Sequence, residues 1–219
     1  MALNGQQDAA ERRARHLMTV RALGITDLAL FKAIEATARE NFAAPQWHGD
    51  LYSGRSIPLT CGQDMTSAVT VAQAVHALGF DPAFRVLELG TGSGYQTAIL
   101  SQLARQVVTV ERFATLLDSA KAQHERMSLV NIEHVLADGR DGVARLGPYD
   151  RILVNFALAE PPRSFLEQMS VGARLIAPIG GASGRQMLTS FDKIGSRFEA
   201  RSLFEVSFGL HMTGVARAL

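Results

Sequence analysis

The stretch RVLELGTGSGY, residues 85–95, decides the fold class of this sequence. Its first five residues form a short apolar run typical of a buried strand, and the residues from Gly94 to Ala104 have the apolar spacing of a helix. Between them, Gly90 allows a tight turn and Gly92 leaves bare backbone against which a ligand can lie, while Gly94 is expected to permit close approach of the helix to the strand. A strand, a glycine-rich turn and a helix in this order predict a ligand site at the carboxyl end of the strand.

The same alternation of strands and helices continues along the chain. Apolar or β-branched runs predict strands over residues 85–89, 106–110, 132–136, 151–154 and 174–177, and helical spacing is found over residues 94–104, 114–127 and 163–169. Such alternation implies a parallel sheet with right-handed crossovers. Beyond Gly180, strand-like patterns flank a polar turn at residues 192–196, which predicts an antiparallel hairpin. We therefore predict an α/β fold with a doubly wound, mostly parallel, Rossmann-like sheet and an antiparallel C-terminal hairpin at its edge.

An N-terminal helical extension precedes this sheet. The first helix is predicted over residues 8–23, because Asp8 and Glu11 are spaced as a capping box. A second helix is predicted to begin at Thr26 or Asp27, both of which can act as N-caps.

A long polar stretch over residues 41–58 follows the second helix. Loops of this length inside a compact domain are usually functional covers or flexible linkers, so this stretch is a candidate lid. We expect residues 1–219 to form a single domain, with N-terminal helices and the lid-like loop over 1–58. The ligand-binding α/β core then spans 59–180 and the C-terminal strands span 181–219.

Composition and charge exclude several classes of protein. The 22 Lys and Arg against 21 Asp and Glu give a formal charge of +1, with no basic excess that would favour a nucleic-acid backbone. Polar residues interrupt every apolar run before it reaches the roughly eighteen residues of a membrane helix. The single cysteine, Cys61, cannot form an internal disulfide, and the charged N-terminus lacks the apolar region of a signal peptide. We expect a cytoplasmic protein, monomeric or a weak homodimer, and the scattered histidines predict no metal site.

The spacing of the glycine-rich turn bears on the class of ligand. It reads G-x-G-x-G followed by Tyr95, and a dinucleotide-binding turn would have a further glycine at that position in G-x-G-x-x-G. Glu88 lies two residues before Gly90, where its carboxylate would repel a pyrophosphate and suits a cationic ligand. A nicotinamide-dependent dehydrogenase is therefore disfavoured. A turn needed only for packing remains the alternative.

Two further acidic positions follow later strands. Glu111 closes the second strand 23 residues after Glu88, where a carboxylate can accept hydrogen bonds from both ribose hydroxyls of a nucleoside. Asp138 and Gly139 follow the third strand at the carboxyl edge of the sheet, where Asp138 could accept from an adenine amino group. Alternatively, Glu111 is a solvated charge and the Asp-Gly pair is only a turn.

The chain resembles the protein-L-isoaspartate (D-aspartate) O-methyltransferase family over residues 25–210, and its glycine-rich turn resembles motif I of class I methyltransferases. The similar pieces are residues 39–42, Tyr52, residues 62–63, 86–95, 110–111, 138–139, 149–154 and 172–180. The resemblance implies S-adenosylmethionine as cofactor and methyl transfer to L-isoaspartyl or D-aspartyl carboxylates of damaged proteins. The cofactor contacts it implies are Gln63, Met65, Thr66, Glu88, Gly90, Thr91, Gly92, Ser93, Glu111, Arg112, Asp138 and Gly139, without a metal.

Departures from the family are concentrated on the acceptor side. Thr66 stands where the family typically has a serine, Ala68 where it has a proline, and Asp64 and Asn155 also differ. Thr66 is the candidate catalytic residue, since its hydroxyl would orient the acceptor carboxylate, although Thr66 or Ser67 could simply cap the next helix. A methyltransferase with another acceptor, and a module that binds the cofactor without turnover, are the alternatives.

Overall fold

A computed structural model describes residues 2–181 and 184–218, with the backbone alone over residues 2–7. The helices are α1 (Ala2–Ala22), α2 (Leu28–Ala36), α3 (Ala68–Leu78), α4 (Tyr95–Leu103), α5 (Ala114–Arg126) and α6 (Arg163–Glu167). The strands are β1 (Ile57–Pro58), β2 (Asp64–Met65), β3 (Arg85–Leu89), β4 (Gln106–Glu111), β5 (Ile132–Leu136), β6 (Tyr149–Val154), β7 (Met169–Ile179), β8 (Gln186–Ile194) and β9 (Arg197–Val206).

The main sheet has the order β5-β4-β3-β6-β7-β8-β9. Strands β3 to β7 pair in parallel, and β8 and β9 are antiparallel to their neighbours. The predicted fold class, including the C-terminal hairpin, is thus confirmed. From β3 the chain runs outward to β4 and β5 and then returns to β6 on the other side. This reversal places a switch point at the carboxyl end of β3, where open α/β sheets bind ligands.

The start of the first helix is wrong in the sequence prediction. Helix α1 begins at Ala2, so Asp8 and Glu11 lie inside it and do not cap it. They form ion pairs one turn on, with Arg12 and Arg15, because residues four apart are neighbours on a helix surface.

The second helix begins directly after one of its two predicted N-caps. The carboxylate of Asp27 accepts hydrogen bonds from the amides of Ala29 and Leu30, at 2.9 and 3.2 Å. Asp27, and not Thr26, is therefore the N-cap.

The candidate lid over residues 41–58 packs against the core. Leu51 and Ile57 within it are buried, and short 3-10 turns form at Arg39–Phe42 and Pro45–Trp47. A small hairpin of β1 and β2 follows, and its turn contains Gly62. Buried apolar side chains thus anchor this stretch to the core, and its role as a lid stays a prediction.

Two apolar clusters cover the two faces of the sheet. Val86 and Val107 join one cluster, together with residues of α1 to α4. Leu87 and Val108 point to the other, which includes Phe165 of α6. Because successive side chains of a strand face opposite ways, β3 and β4 are buried on both faces, as expected for parallel strands. In the part of the chain that the structure describes, no helix combines the length and the apolar character needed to cross a membrane.

Candidate functional site

A cavity of about 400 Å³ lies at the switch point. The turns after β3, β4, β5 and β6 border it, together with the β2 hairpin and the segment that follows β9. Eleven of the twelve cofactor contacts expected from the sequence line it: Gln63, Met65, Thr66, Gly90, Thr91, Gly92, Ser93, Glu111, Arg112, Asp138 and Gly139.

The glycine-rich turn has backbone angles that favour glycine. Gly90 has φ +93°, and a Cβ atom there would lie 3.2 Å from the Cβ of Asn155. Gly94 has φ +84°, and its Cβ would lie 2.8 Å from both the Cβ of Ala120 and Nε2 of His124. Those two residues belong to α5, so Gly94 permits contact between two helices. The prediction that Gly94 permits close approach of the helix to the strand is therefore wrong, because the close neighbours are on α5.

Glu88 is the one expected cofactor contact that does not line the cavity. Its side chain is 0% exposed and lies beneath the turn. It accepts hydrogen bonds from Gln96 Nε2 (3.0 Å), Thr97 Oγ1 (2.5 Å), Thr109 Oγ1 (2.7 Å) and Asn155 Nδ2 (3.4 Å). Burial raises the pKa of the Glu88 carboxyl, while these bonds oppose the rise. Glu88 therefore orients Gln96 and Asn155, which border the cavity in its place.

Glu111 lies at the end of β4 and closes the glycine-rich turn. Its Oε2 accepts from the Gly92 amide at 2.9 Å, and its Oε1 accepts from the amides of Arg112 and Phe113 at 2.8 and 3.0 Å. The chain's own carboxylate thus takes the turn amide that a diphosphate would need. Three of the four lone-pair sites of the carboxylate are thus used, and the site left on Oε2 suits a ligand with a hydroxyl group.

Asp138 borders the cavity at the turn after β5. Its Oδ1 accepts from the Arg140 amide at 2.8 Å and its Oδ2 from the Gly214 amide at 3.1 Å. The Arg140 amide in particular lowers the pKa of the Asp138 carboxyl, so this group is ionised near neutral pH. An anionic acceptor here suits an amino group of a ligand.

Residues 62–66, which we call the acceptor wall, form another side of the cavity. The helix cap next to it is Ser67, whose Oγ accepts from the Thr70 amide at 3.2 Å. The hydroxyl of Thr66 is therefore not needed as a cap. Thr66 also lines an adjoining cavity of about 350 Å³, so it lies where the two cavities meet.

Sequence reasoning missed the wall contributed by the C-terminus. Residues 207–212 line the cavity, and the Gly209 carbonyl accepts from the Ala157 amide at 2.8 Å. The other lining residues not singled out as contacts are Arg39, Ser56, Gly62, Asp64, Val71, Tyr95, Gln96, Val110, Ala137, Asn155 and Phe156. The sequence does not predict this wall, because no local pattern shows that a distant segment returns to the sheet.

The residues that line the cavity fit S-adenosylmethionine. Glu111 can accept from a ribose hydroxyl through Oε2, Asp138 can accept from the adenine amino group, and Gly92 leaves open backbone. Over residues 2–181 and 184–218, no three His, Cys, Asp or Glu side chains are grouped in a way that could hold a metal ion.

A pair of histidines, buried His124 and partly buried His134, supports the glycine-rich turn. His124 Nε2 lies 2.8 Å from the Gly94 carbonyl, and its Nδ1 lies 2.8 Å from His134 Nε2. Because a carbonyl only accepts, Nε2 of His124 carries a proton, and its Nδ1 then accepts from His134. Burial lowers the pKa of both rings, to about 4 for His134, where the neighbouring His124 also contributes.

This pair predicts a loss of stability in acid. The unfolded rings bind protons below about pH 6.5 and the folded rings resist them, so stability declines as the pH falls from there to about 4. Allowing for the half-exposed position of His134, we expect its share to be about 1–2 kcal/mol. Denaturant unfolding at about pH 7.5 and about pH 5 should show a smaller decline for His134→Gln than for the wild type. Buried His16 contributes equally to the loss of stability in both proteins, so it does not affect the comparison. Equal losses of stability in the wild type and in His134→Gln would contradict this role for His134.

Comparisons with known proteins agree with this geometry. The sequence model of the family described as Protein-L-isoaspartate(D-aspartate) O-methyltransferase matches residues 12–213. A protein-L-isoaspartate O-methyltransferase of Azorhizobium caulinodans is 40% identical over 212 residues, covering 96% of this chain and 98% of the relative. One of Bradyrhizobium sp. is 38% identical over 202 residues, covering 92% and 94%.

Two solved structures are similar over most of the chain. A protein-L-isoaspartate O-methyltransferase has a TM-score of 0.79 at 27% identity, and the match covers 90% of this chain but only 65% of that one. A Plasmodium falciparum protein in complex with S-adenosyl-L-homocysteine has a TM-score of 0.78 at 18% identity, covers 90% and 97%, and shares the fold. The match of family and fold extends over nearly the whole chain, and we conclude that it belongs to the protein-L-isoaspartate (D-aspartate) O-methyltransferase family.

Proposed function

We propose that this protein transfers a methyl group from S-adenosylmethionine to the free carboxylate of isoaspartyl or D-aspartyl residues in damaged proteins, a repair step. The observation that supports it most directly is the Glu111 carboxylate, bonded to the Gly92 amide inside the glycine-rich turn. This contact occupies an amide that the diphosphate of a dinucleotide would need, and it suits a nucleoside without phosphates. The family relatives, named for this activity, support the same assignment.

The reaction requires little acid–base catalysis by residues of the chain. When bound, S-adenosylmethionine supplies a methyl group activated by a positively charged sulfur. The acceptor carboxylate is already ionised near neutral pH, so no residue has to remove a proton. Opposite charges disappear together during transfer, so the chain promotes it by excluding water and by aligning the acceptor. We assign alignment to Thr66 on the acceptor wall and exclusion of water to the packed residues 45–63.

The adjoining cavity offers a way for a polypeptide to reach Thr66. Both cavities share Ser56, Thr66, Ser207 and Phe208, and the second also borders the end of β9 near Glu205. We propose that the flanking chain of the acceptor enters here. The acceptor residue then reaches Thr66 from this side.

The wider working arrangement is also proposed. Val20 and Leu30 of the N-terminal helices share an apolar cluster with Val86 and Leu188 of the sheet, which supports residues 1–219 acting as a single domain. Within it, residues 1–58 would cover the site, 59–180 would hold the cofactor, and 181–219 would complete the wall. We also propose that the protein works in the cytoplasm as a monomer or weak homodimer, without nucleic acid.

The decisive experiment uses one peptide in two forms, isoaspartyl and ordinary aspartyl. Incubation with labelled S-adenosylmethionine should yield base-labile methyl ester on the isoaspartyl form alone. The changes at Asp64, Thr66 and Ala68 make another acceptor the competing function. Labelling of a different acceptor, with none on the isoaspartyl peptide, would establish that alternative, and binding without any transfer would indicate a cofactor-binding module.

The hydroxyl of Thr66 gives a second prediction. Thr66→Val keeps the shape of the side chain but removes one hydrogen bond to the acceptor, so kcat/KM for the isoaspartyl peptide should fall about tenfold. Thr66→Ser retains the hydroxyl and should remain within about threefold of the wild type. Binding of S-adenosylhomocysteine, followed by calorimetry, should change in neither variant. Equal activity of the valine and serine variants would remove Thr66 from the proposed role.

A further inference from the structure

Arg39 has an unusual environment for a charged side chain. It is 0% exposed and borders the main cavity, and its Nη2 donates to the Thr66 carbonyl at 2.5 Å. Its guanidinium carbon lies 4.7 Å from the ring centre of Tyr95. A buried arginine is normally balanced by a carboxylate, because removing a charge from water costs several kcal/mol.

No such balance is present at Arg39. Within residues 2–181 and 184–218, its Nε and Nη1 have no hydrogen-bond partner and no carboxylate forms an ion pair with it. Glu40, the adjacent acid, accepts from Arg13 at 3.2 Å. Burial lowers the pKa of Arg39, and the charge of Arg39 adds to burial in lowering the pKa of His16 to about 4. The nearby Glu40 carboxylate offsets the charge of Arg39 only in part, since the guanidinium still lowers the pKa of His16.

This uncompensated charge lies beside the acceptor wall. A charge on a buried side chain acts strongly over a few ångströms, because little water surrounds it to screen it. The field attracts an anion. Thr66, to which Arg39 is bonded, is the residue that we place against the acceptor.

We propose that Arg39 is a specificity-determining residue, whose unbalanced guanidinium charge beside Thr66 selects an acceptor that bears a carboxylate. This inference rests on the proposed function and adds to it the charge of the group that is recognised. It also gives a reason for product release, since the methyl ester is neutral and no longer attracted to Arg39. The favourable interaction is thus present before transfer and lost after it.

The test compares two peptides that differ in charge alone. One contains isoaspartate and the other contains the same residue as its α-carboxamide, and binding of each is measured by calorimetry with S-adenosylhomocysteine present. The wild type should bind the carboxylate form at least about tenfold more tightly. Arg39→Met removes the charge and the donor, whereas Arg39→Gln removes the charge but retains a donor for the Thr66 carbonyl. In both variants the ratio of the two peptide affinities should fall to about one.

Matched controls separate charge from structure. Arg39→Lys keeps the charge and should retain a preference for the carboxylate, and Arg151→Met removes a partly buried arginine that donates to Gly79 and should keep the full ratio. S-adenosylhomocysteine binding should stay within about threefold of wild type in all variants. If Arg39→Gln weakens the binding of both peptides equally, the role of Arg39 is structural and the inference fails. If the wild type methylates no isoaspartyl peptide, both the proposed function and the inference are overturned. If the wild type does methylate it but the Arg39 variants keep the affinity ratio of the wild type, only the inference is overturned.

Discussion

Glu111→Gln should weaken S-adenosylhomocysteine binding at least about 100-fold, equivalent to about 2.7 kcal/mol. The Glu111 carboxylate accepts from three backbone amides, and its Oε2 is proposed to accept from a ribose hydroxyl as well. Glutamine has the same shape but replaces one oxygen with an amino group, which cannot accept from the Gly92 amide or from a hydroxyl. Hydrogen bonds to a charged group contribute about 1.5–3 kcal/mol each, so losing even two of them gives the expected effect.

A ligand lacking one hydroxyl distinguishes ribose binding from damage to the turn. The wild type should bind the 2′-deoxy analogue of S-adenosylhomocysteine about tenfold or more weakly than the parent, and Glu111→Gln should bind both alike. Glu133→Gln, an acid on the neighbouring strand β5 that does not line the cavity, is the matched control and should bind as the wild type does. A deoxy penalty that persists unchanged in Glu111→Gln would show that another residue holds the ribose.

The elements set by local pattern were predictable from the sequence. The run over residues 85–89, the glycine-rich turn and the following helix form where periodicity and turn chemistry place them. The role of Asp27 as an N-cap was predictable for the same reason, because it depends on one side chain and two nearby amides. The capping box at Asp8 was wrong because the same charges also suit ion pairs inside a longer helix.

The features that depend on distant segments were not predictable. Burial of Glu88 results from donors on α4, on β4 and after β6, which no spacing along the chain brings together. Residues 207–212 become a cavity wall only because β9 is followed by a return to Ala157. The unbalanced charge of Arg39 likewise becomes visible only when its surroundings are known. Sequence analysis thus brought most of the expected contacts to one cavity but missed the segments that reach this cavity from elsewhere in the chain.

Gly94→Ala should reduce the free energy of unfolding by about 3 kcal/mol or more. Two costs add at this position. The left-handed backbone, φ +84°, costs about 1–2 kcal/mol for a residue with a Cβ. The new Cβ would also lie 2.8 Å from Ala120 and His124 of α5, and such overpacking costs about 1–3 kcal/mol. Gly92→Ala is the matched control, since its φ is +54° and the nearest atom, on Leu59, would be 3.8 Å away, so we expect a loss of only about 1 kcal/mol.

A double variant shows whether the clash with α5 is the cause. Ala120→Gly alone should cost about 1 kcal/mol because glycine disfavours helices, but added to Gly94→Ala it removes one of the two colliding atoms. The double variant should therefore lose clearly less stability than the sum of the single losses, as measured by denaturant unfolding. Additive losses, or equal losses for Gly92→Ala and Gly94→Ala, would mean that backbone strain alone sets the requirement for glycine. A coupled result would instead show that the approach of α5 fixes the position of the turn, and with it the amide at Gly92 that Glu111 holds.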